Sequence, residues 1–193
     1  MINEIYFQEF PILKSERLVL RKLGKEDAKE IQLIRSDERV MKYMDSERHT
    51  NIEIAKNFVA ENLSMYTQKR GMFWALIEIS SQKFIGDFSF WKIDSKNSRA
   101  EIGYTLNPEF WGKGLMKEAM IKIISFGFNH LKLHSLEANI NPENENSRGI
   151  LTNLGFLKEA YFKENYYFNG EFLDSEIYSL LEPNFKYKTH LNK

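Results

Sequence analysis

The chain has 193 residues, with 27 Lys plus Arg and 27 Asp plus Glu, so its formal net charge is zero. A neutral chain lacks the basic excess that nucleic acids or anionic membrane surfaces attract, which argues against both as partners. Cysteine is absent, which excludes thiol nucleophiles, disulfides and thiolate zinc sites. The length is typical of one domain and no linker composition interrupts it, so we expect a single domain over residues 1–193.

The amino-terminal segment MINEIYFQEF has neither the basic flank nor the apolar stretch of a secretory signal. No apolar run approaches the roughly 20 residues of a membrane span. These two features together lead us to expect a cytoplasmic protein.

The first half of the chain alternates strand and helix patterns. Residues 17–23 alternate apolar and basic side chains, which predicts a strand with one wet face. Helical spacing follows over residues 27–34 and again over residues 52–67. Residues 73–80 and 83–91 flank a short polar turn, which predicts an antiparallel hairpin.

The second half supplies the remaining predicted elements. They are, in chain order, a strand at 99–106, a helix at 115–130, a strand at 134–140, a short helix at 147–154 and a hairpin of 161–168 with 172–180. The dipeptide Asn169–Gly170 between the last two strands is a strong two-residue turn signal. Helices interleaved with a largely antiparallel sheet, with one strand–helix–strand crossover, predict an α+β fold with mixed strand directions.

A loop with two glycines joins the strand at 99–106 to the helix at 115–130. Pro108 cannot donate a ladder hydrogen bond, so we expect the strand to end before it. Gly112 and Gly114 permit positive φ and let a ligand approach the main chain closely. The first amides of the helix have no intrahelical acceptor and carry partial positive charge, an arrangement that suits a phosphate or pyrophosphate.

Two common phosphate-binding motifs do not match this loop. The dinucleotide fingerprint needs a third glycine where the chain has Lys117. The P-loop needs a hydroxyl residue after its lysine, but Lys113 is followed by Gly114. A nicotinamide-dependent enzyme is therefore disfavoured.

The run AEIGYTLNPEFWGKGLMKEA at 100–119, followed by NPENENSRGILTNLGF at 141–156, resembles the GNAT superfamily of acyl-CoA N-acyltransferases. The branch of ribosomal-protein N-terminal acetyltransferases is the most similar, and the segments SERLVLRKL, IGDFSF and NYYFNGEFLDSEIYSLL also resemble it. The resemblance spans about residues 11–182. It implies a GNAT-like fold, in which helices flank a central mixed, mostly antiparallel twisted sheet with splayed central strands, and it implies acetyl-CoA as co-substrate.

The resemblance also implies where the co-substrate binds. The family's pyrophosphate turn, Gln/Arg-x-x-Gly-x-Gly/Ala, maps onto residues 109–114, where Glu109 departs from the pattern and is expected to point to solvent. The pantetheine arm would lie between the splayed strands, with the thioester carbonyl near the amides of residues 104–106. We interpret Trp111 as packing under the loop rather than stacking on a ligand. The expected cofactor-binding residues are Tyr104, Thr105, Leu106, Trp111, Gly112, Lys113, Gly114, Leu115, Met116, Asn139, Asn144 and Ser147.

Two residues are the expected catalytic groups. Glu101 lies at a frequent carboxylate position of the family and is the candidate base, directly or through a water; the alternative is a salt-bridged strand carboxylate. Many family members carry a tyrosine acid where this chain has Leu151, so Ser147 becomes the candidate general acid. The alternative for Ser147 is a plain helix N-cap. Tyr43, Trp91 and Tyr104 are expected to line the acceptor pocket.

These implications predict an enzyme that transfers acetyl from acetyl-CoA to a primary amine by direct attack in a ternary complex. A protein N-terminal α-amine and a small-molecule amine both remain open as acceptors. A non-catalytic acyl-CoA-binding sensor or regulatory module is the alternative, because the tyrosine acid is missing. The aromatic tail hairpin leaves a homodimer open. We expect no metal: His130 and His134 have a helical metal spacing, but the second falls in strand-like sequence.

Overall fold

The structure is a computed structural model, and it describes residues 2–187. The expected domain therefore extends beyond the described residues at both ends. The strands are β1 (Leu13–Lys14), β2 (Leu18–Lys22), β3 (Met72–Glu78), β4 (Phe84–Asp94), β5 (Arg99–Leu106), β6 (Ser135–Ile140), β7 (Leu157–Phe168) and β8 (Glu171–Leu181). The helices are α1 (Ala28–Ser36), α2 (Glu38–Met41), α3 (Ile52–Thr67), α4 (Leu115–Asn129) and α5 (Glu145–Leu154).

All eight strands form one sheet in the order β1-β2-β3-β4-β5-β6-β8-β7. Every neighbouring pair is antiparallel except β5 and β6, which are parallel. Parallel neighbours need a crossover connection, and α4 provides it. The predicted α+β fold with a mixed, mostly antiparallel sheet is confirmed.

The sheet opens at its only parallel junction within the described residues. β5 and β6 pair over three positions, from Arg99 with Ser135 to Glu101 with Glu137, and no further. β5 nevertheless continues to Leu106 and β6 to Ile140, each held on its other side by an antiparallel partner. The two strands therefore diverge into a V, which confirms the predicted splay.

The two faces of the sheet bury different cores. The larger core packs α4 and α5 against apolar side chains such as Phe88 and Ile102. The smaller core packs α1 and α3 against the opposite face, with Phe73 and Ala75 at its centre. Successive residues of a strand point to opposite faces of the sheet. Alternate side chains of β5 therefore face the core of α4 and α5, and those between them face the core of α1 and α3.

Element boundaries differ from the sequence prediction at two functional places. α5 begins at Glu145 rather than Ser147, because the Asn144 side chain caps it by accepting the amide of Ser147 at 3.1 Å. β7 begins at Leu157 rather than residue 161; as an exposed edge strand it lacks the alternation of apolar and polar residues that would have marked its start.

Within residues 2–187, every helix is too short or too polar to cross a lipid bilayer.

Candidate active site

The loop after β5 has the backbone conformation that its glycines allow. Gly112 has a φ of 73° and Gly114 a φ of 75°, values that L-residues with a side chain rarely adopt. A Cβ placed on Gly112 would meet no atom within 4 Å. The backbone conformation therefore selects glycine there, and the loop surface stays open to a ligand.

The first turn of α4 presents free amides at this loop. The first helical hydrogen bond joins the Glu118 amide to the Gly114 carbonyl at 3.1 Å. The amides of residues 115–117 have no acceptor among the described residues. They carry the partial positive charge of a helix N-terminus, so an anion would be stabilised there.

Arg17, directly before β2, holds this loop in place. Its Nε donates to Glu118 Oε2 at 2.7 Å and its Nη1 donates to the Lys113 carbonyl at 2.9 Å. Burial alone would raise the pKa of Glu118, but hydrogen bonds from Ser15 and from the Arg17 amide and guanidinium outweigh it and lower that pKa. The carboxylate at the start of α4 is thus neutralised by Arg17 and does not oppose an anion.

The neighbouring side chains of the loop also have defined positions. Trp111 donates its indole Nε1 to the Leu106 carbonyl at 2.7 Å, which fixes the loop to the end of β5. The indole keeps 42% of its surface exposed, so it packs against the strand end while one part faces solvent. Glu109 is exposed, as its departure from the family pattern led us to expect.

A cleft of about 130 Å³ opens where β5 leaves β6. Of the predicted cofactor-binding residues, it is lined by Tyr104, Thr105, Leu106, Trp111, Met116, Asn144 and Ser147. Gly112, Lys113 and Gly114 are exposed on the adjoining loop, and the Leu115 side chain is buried in the core. Asn139 is exposed on β6, paired with Ile177 of β8. The structure thus gathers seven of the twelve around one opening.

Two hydroxyl groups meet at the inner wall of this cleft. Tyr104 Oη and Ser147 Oγ share a hydrogen bond, and the Ser147 residue is only 6% exposed. Burial raises the pKa of Tyr104 to about 12 although the bond to Ser147 opposes the rise, so the phenol stays protonated at neutral pH. Leu151 is fully buried. The N-cap alternative for Ser147 is wrong, because Asn144 is the cap.

Glu101 lies on the other face of β5. It stands opposite Trp91 of β4, which packs in the core of α1 and α3, whereas Tyr104 stands opposite Phe88 in the core of α4. Burial raises the pKa of Glu101, although Lys92, whose Nζ donates to Oε2 at 2.8 Å, opposes the rise. The salt bridge of the alternative interpretation is therefore present, and the carboxylate is still more basic than usual.

A buried polar cluster, which the sequence did not reveal, holds the free half of β5. Thr105 Oγ1 donates to Asp87 Oδ2 of β4, and both residues are 4% exposed. Burial raises the pKa of Asp87, and the charge of Arg35 on α1 opposes the rise. Because β5 lacks β6 at this level, the bond from Thr105 ties the strand end to β4.

A second, larger cavity of about 1050 Å³ adjoins the cleft. Its walls are α2 with the segment to Thr50, the turn at residues 141–143, and the tip of the β7–β8 hairpin. Tyr43 and Met44 line both openings. The two openings therefore adjoin at these two side chains.

Comparison with known proteins identifies this arrangement. A family profile described as an acetyltransferase (GNAT) domain matches residues 17–157. The chain belongs to the GNAT acetyltransferase family. This GNAT chain is an acetyl-CoA-dependent N-acetyltransferase, and the comparisons give no support to the non-catalytic alternative.

Individual relatives match the sequence or the fold of this GNAT enzyme along most of its length. It is 34% identical over 174 residues to YoaA, an uncharacterised N-acetyltransferase of Bacillus subtilis, covering 90% of this chain and 98% of YoaA. It is 29% identical over 119 residues to the ribosomal protein uS5-alanine N-acetyltransferase of Escherichia coli, covering 61% of each chain. The crystal structure of a GNAT acetyltransferase from Bacillus anthracis superposes with a TM-score of 0.79 at 31% identity, covering 90% and 99% of the two chains.

The fold does not support a metal site formed by the histidines. α4 ends at Asn129, so His130 and His134 do not share a helix. Among residues 2–187, no group of three or more His, Asp or Glu side chains is arranged to hold a metal ion in this GNAT structure.

Proposed function

We propose that this enzyme transfers acetyl from acetyl-CoA to a primary amine by direct attack in a ternary complex, with the α-amine of a protein or peptide as acceptor. The observation that carries the proposal is the V between β5 and β6, with Glu101 at its paired end on one face of β5 and the paired hydroxyls of Tyr104 and Ser147 in the cleft on the other.

The free amides of residues 115–117 and the side chain of Lys113 bind the diphosphate of acetyl-CoA. Positive φ at Gly112 and Gly114 exposes the main chain of the loop to the phosphate oxygens. The pantetheine arm fills the V as an added strand would, with Asn139 and Asn144 beside it. The thioester carbonyl faces the amides of residues 104–106, where one amide donor to the developing oxyanion contributes roughly 3 kcal/mol.

Glu101 is the base in this proposal. An ammonium cannot attack, so the acceptor must lose a proton before its nitrogen bonds to the thioester carbon. The burial that raises the pKa of Glu101 makes it a stronger base than an exposed glutamate. Glu101 lies at the last position where β5 pairs with β6, on the face of β5 that packs toward α1 and α3.

Tyr104 and Ser147 act on the departing thiolate. When the tetrahedral intermediate collapses, the C–S bond breaks and the electron pair leaves on sulfur. A free thiol has a pKa near 8.5, so full proton transfer from a phenol of pKa about 12 would cost roughly 5 kcal/mol. The hydroxyl pair therefore stabilises the thiolate by hydrogen bonding, and the proton lost by the amine reaches the sulfur later through solvent.

The peptide acceptor is supported by similarity and by space. The Escherichia coli relative acetylates an alanine of a ribosomal protein, as its name states. The cavity of about 1050 Å³ slightly exceeds the roughly 300–1,000 Å³ common for small-molecule sites, which suits a chain terminus.

The test combines purified protein with acetyl-CoA and a panel of free and amino-terminally blocked peptides. We expect release of one thiol for each acetylated free terminus, measured by a thiol reagent and by mass spectrometry. Transfer to small amines alone would overturn the peptide acceptor. Coenzyme A binding without transfer to any amine would overturn the proposed reaction.

A further inference from the structure

The large cavity beside the acyl cleft carries a strong excess of negative charge. Six carboxylates line it: Glu38, Asp45, Glu47, Glu143, Glu171 and Asp174. Among the residues that the structure describes, two cationic side chains, Lys42 and Arg48, share the same wall. The whole chain has equal numbers of acidic and basic residues, so the excess belongs to this cavity and is not a general property of the surface.

Of the six carboxylates of this acidic cavity, one forms a salt bridge within residues 2–187. Arg48 pairs with Glu38 at 2.5 Å, which accounts for one of the two cations. Within residues 2–187, Glu47, Glu143 and Glu171 form no salt bridge. Asp174 accepts the Glu164 amide at 2.7 Å and the Tyr161 hydroxyl, and these hydrogen bonds lower its pKa. A concave wall with this excess focuses a negative potential on its contents.

The position of the acidic cavity, not its charge, makes it the acceptor site. It meets the acyl cleft through Tyr43 and Met44, which line both openings. Neither side chain is a carboxylate, so the reacting amine leaves the carboxylates behind before it reaches the thioester; the Lys42 ammonium lies beside this passage, 4.7 Å from the Tyr43 ring centroid. The amine needs that separation, because adjacent carboxylates would raise its pKa and keep it protonated.

We propose that the preferred acceptor is polycationic: a primary amine on a molecule that carries further ammonium or guanidinium groups. The reacting nitrogen enters the cleft past Tyr43 while the other cations remain in the acidic cavity. A basic peptide terminus and a free aliphatic polyamine share this chemistry. The inference rests on the proposed transferase reaction and adds the charge class of its acceptor.

The experiment measures kcat/KM for three peptides that differ only in charge. Each begins with Ala-Gly and continues with three Arg, three Gln or three Glu residues, so the reacting α-amine is the same in all. At low salt we expect the Arg peptide to exceed the Gln peptide at least 30-fold and the Glu peptide to be poorest. The advantage should shrink severalfold between 50 and 500 mM NaCl, because screening weakens exposed charges (a Debye length of about 8 Å at physiological salt).

Matched variants test whether the preference for the Arg peptide comes from the acidic cavity. The double variant Glu47→Gln/Glu171→Gln removes two exposed carboxylates of the acidic cavity. We expect it to lower kcat/KM for the Arg peptide about tenfold and for the Gln peptide much less, so that the ratio of the two values falls, while an unaltered Kd for coenzyme A shows that the fold is intact. The control Glu16→Gln/Glu61→Gln removes two exposed carboxylates elsewhere and should change none of these values.

The outcomes separate this inference from the proposed reaction. Equal use of the three peptides, or preference for the Glu peptide, would overturn the polycationic acceptor while leaving the transferase intact. No transfer to any peptide or amine, despite coenzyme A binding, would overturn the reaction itself. Spermidine as a fourth acceptor distinguishes the sources: a kcat/KM above that of the Arg peptide assigns the site to free polyamines, and a lower value assigns it to basic peptides.

Discussion

The cofactor half and the acceptor half of this site are built in different ways. The cofactor half uses main-chain groups of one continuous segment, from β5 through the loop at residues 107–114 into α4. The acceptor half uses side chains of three distant segments, at residues 38–50, 141–143 and 161–174. A diphosphate needs amides at fixed angles, which local backbone conformation supplies, whereas an acceptor needs a particular set of charges, which any surrounding segment can supply.

The strongest test of the cofactor half compares two side chains of nearly the same shape that differ in charge. Gly112→Asp places a carboxylate beside the proposed diphosphate site, and we expect at least 100-fold weaker coenzyme A binding by calorimetry. Gly112→Asn is the control, because Asn tolerates positive φ and the space around Gly112 is free; it should stay within about tenfold of wild type. Equal losses in both variants would mean that backbone strain, not charge, explains the effect.

Glu101→Gln, at the last paired position of β5 and β6, should lower kcat about 100-fold and leave coenzyme A binding unchanged, because a general base contributes roughly 10²–10⁴-fold. Lys92→Gln keeps the carboxylate and removes its ion-pair partner. We expect it to retain activity and to move the acidic limb of the kcat/KM profile to higher pH, since Lys92 holds the pKa of Glu101 down. A similar loss of kcat in both variants would favour the structural salt bridge over the base.

The hydroxyl pair predicts a smaller effect within the cofactor half. Tyr104→Phe and Ser147→Ala should each lower kcat about 30-fold, and the double variant should lose little more than either single one, because residues that act as a unit are not additive. Asn146→Ala, in the same cleft, serves as the control with near-normal kcat. Independent, multiplying losses would contradict a shared contact with the leaving thiolate.

The smallest effect concerns stability in the acceptor half. His49 is 4% exposed, and burial together with the charge of Arg35 lowers its pKa to about 4. The folded state therefore binds the His49 proton less tightly than the unfolded state. The resulting stabilisation is present above pH 6.5 and is lost as the pH falls toward 4.

Between pH 7.5 and 5.5 this linkage predicts a loss of about 1.3 kcal/mol of unfolding free energy, roughly tenfold in the folding equilibrium. Urea unfolding at the two pH values measures it. His49→Gln should flatten the pH dependence by that amount, whereas His134→Gln, at an exposed position, should not. An unchanged slope in His49→Gln would show that other groups cause the acid sensitivity.

The two halves also differ in how far the sequence predicts them. The order of strands and helices and the conformation of the glycine loop follow from local patterns in residues 99–130. Arg17 could not be found in this way, because its partner Glu118 is 101 residues away. The same holds for the contacts of Tyr104 with Ser147, 43 residues apart, and of Thr105 with Asp87, 18 residues apart.

Errors in the sequence prediction have a similar physical origin. The start of α5 depended on which of two polar residues accepts an orphan amide, and Asn144 rather than Ser147 does so. The walls of the acidic cavity carry no periodicity of their own, because a wall built by side chains from separate segments needs no local pattern. Homodimer formation through the aromatic hairpin stays a prediction; exposed Tyr167 and Phe172, in contact at its tip with ring centroids 5.1 Å apart, are compatible with it.

The divergence of β5 from β6 has a consequence for the lifetime of the protein. A ligand that inserts there completes an interrupted sheet, and it binds the folded chain alone. At a ligand concentration 100 times Kd, such binding adds about 2.7 kcal/mol to the resistance against unfolding. The supply of coenzyme A and its thioesters, which share the proposed pantetheine and diphosphate contacts, would thereby influence how long the enzyme survives proteolysis.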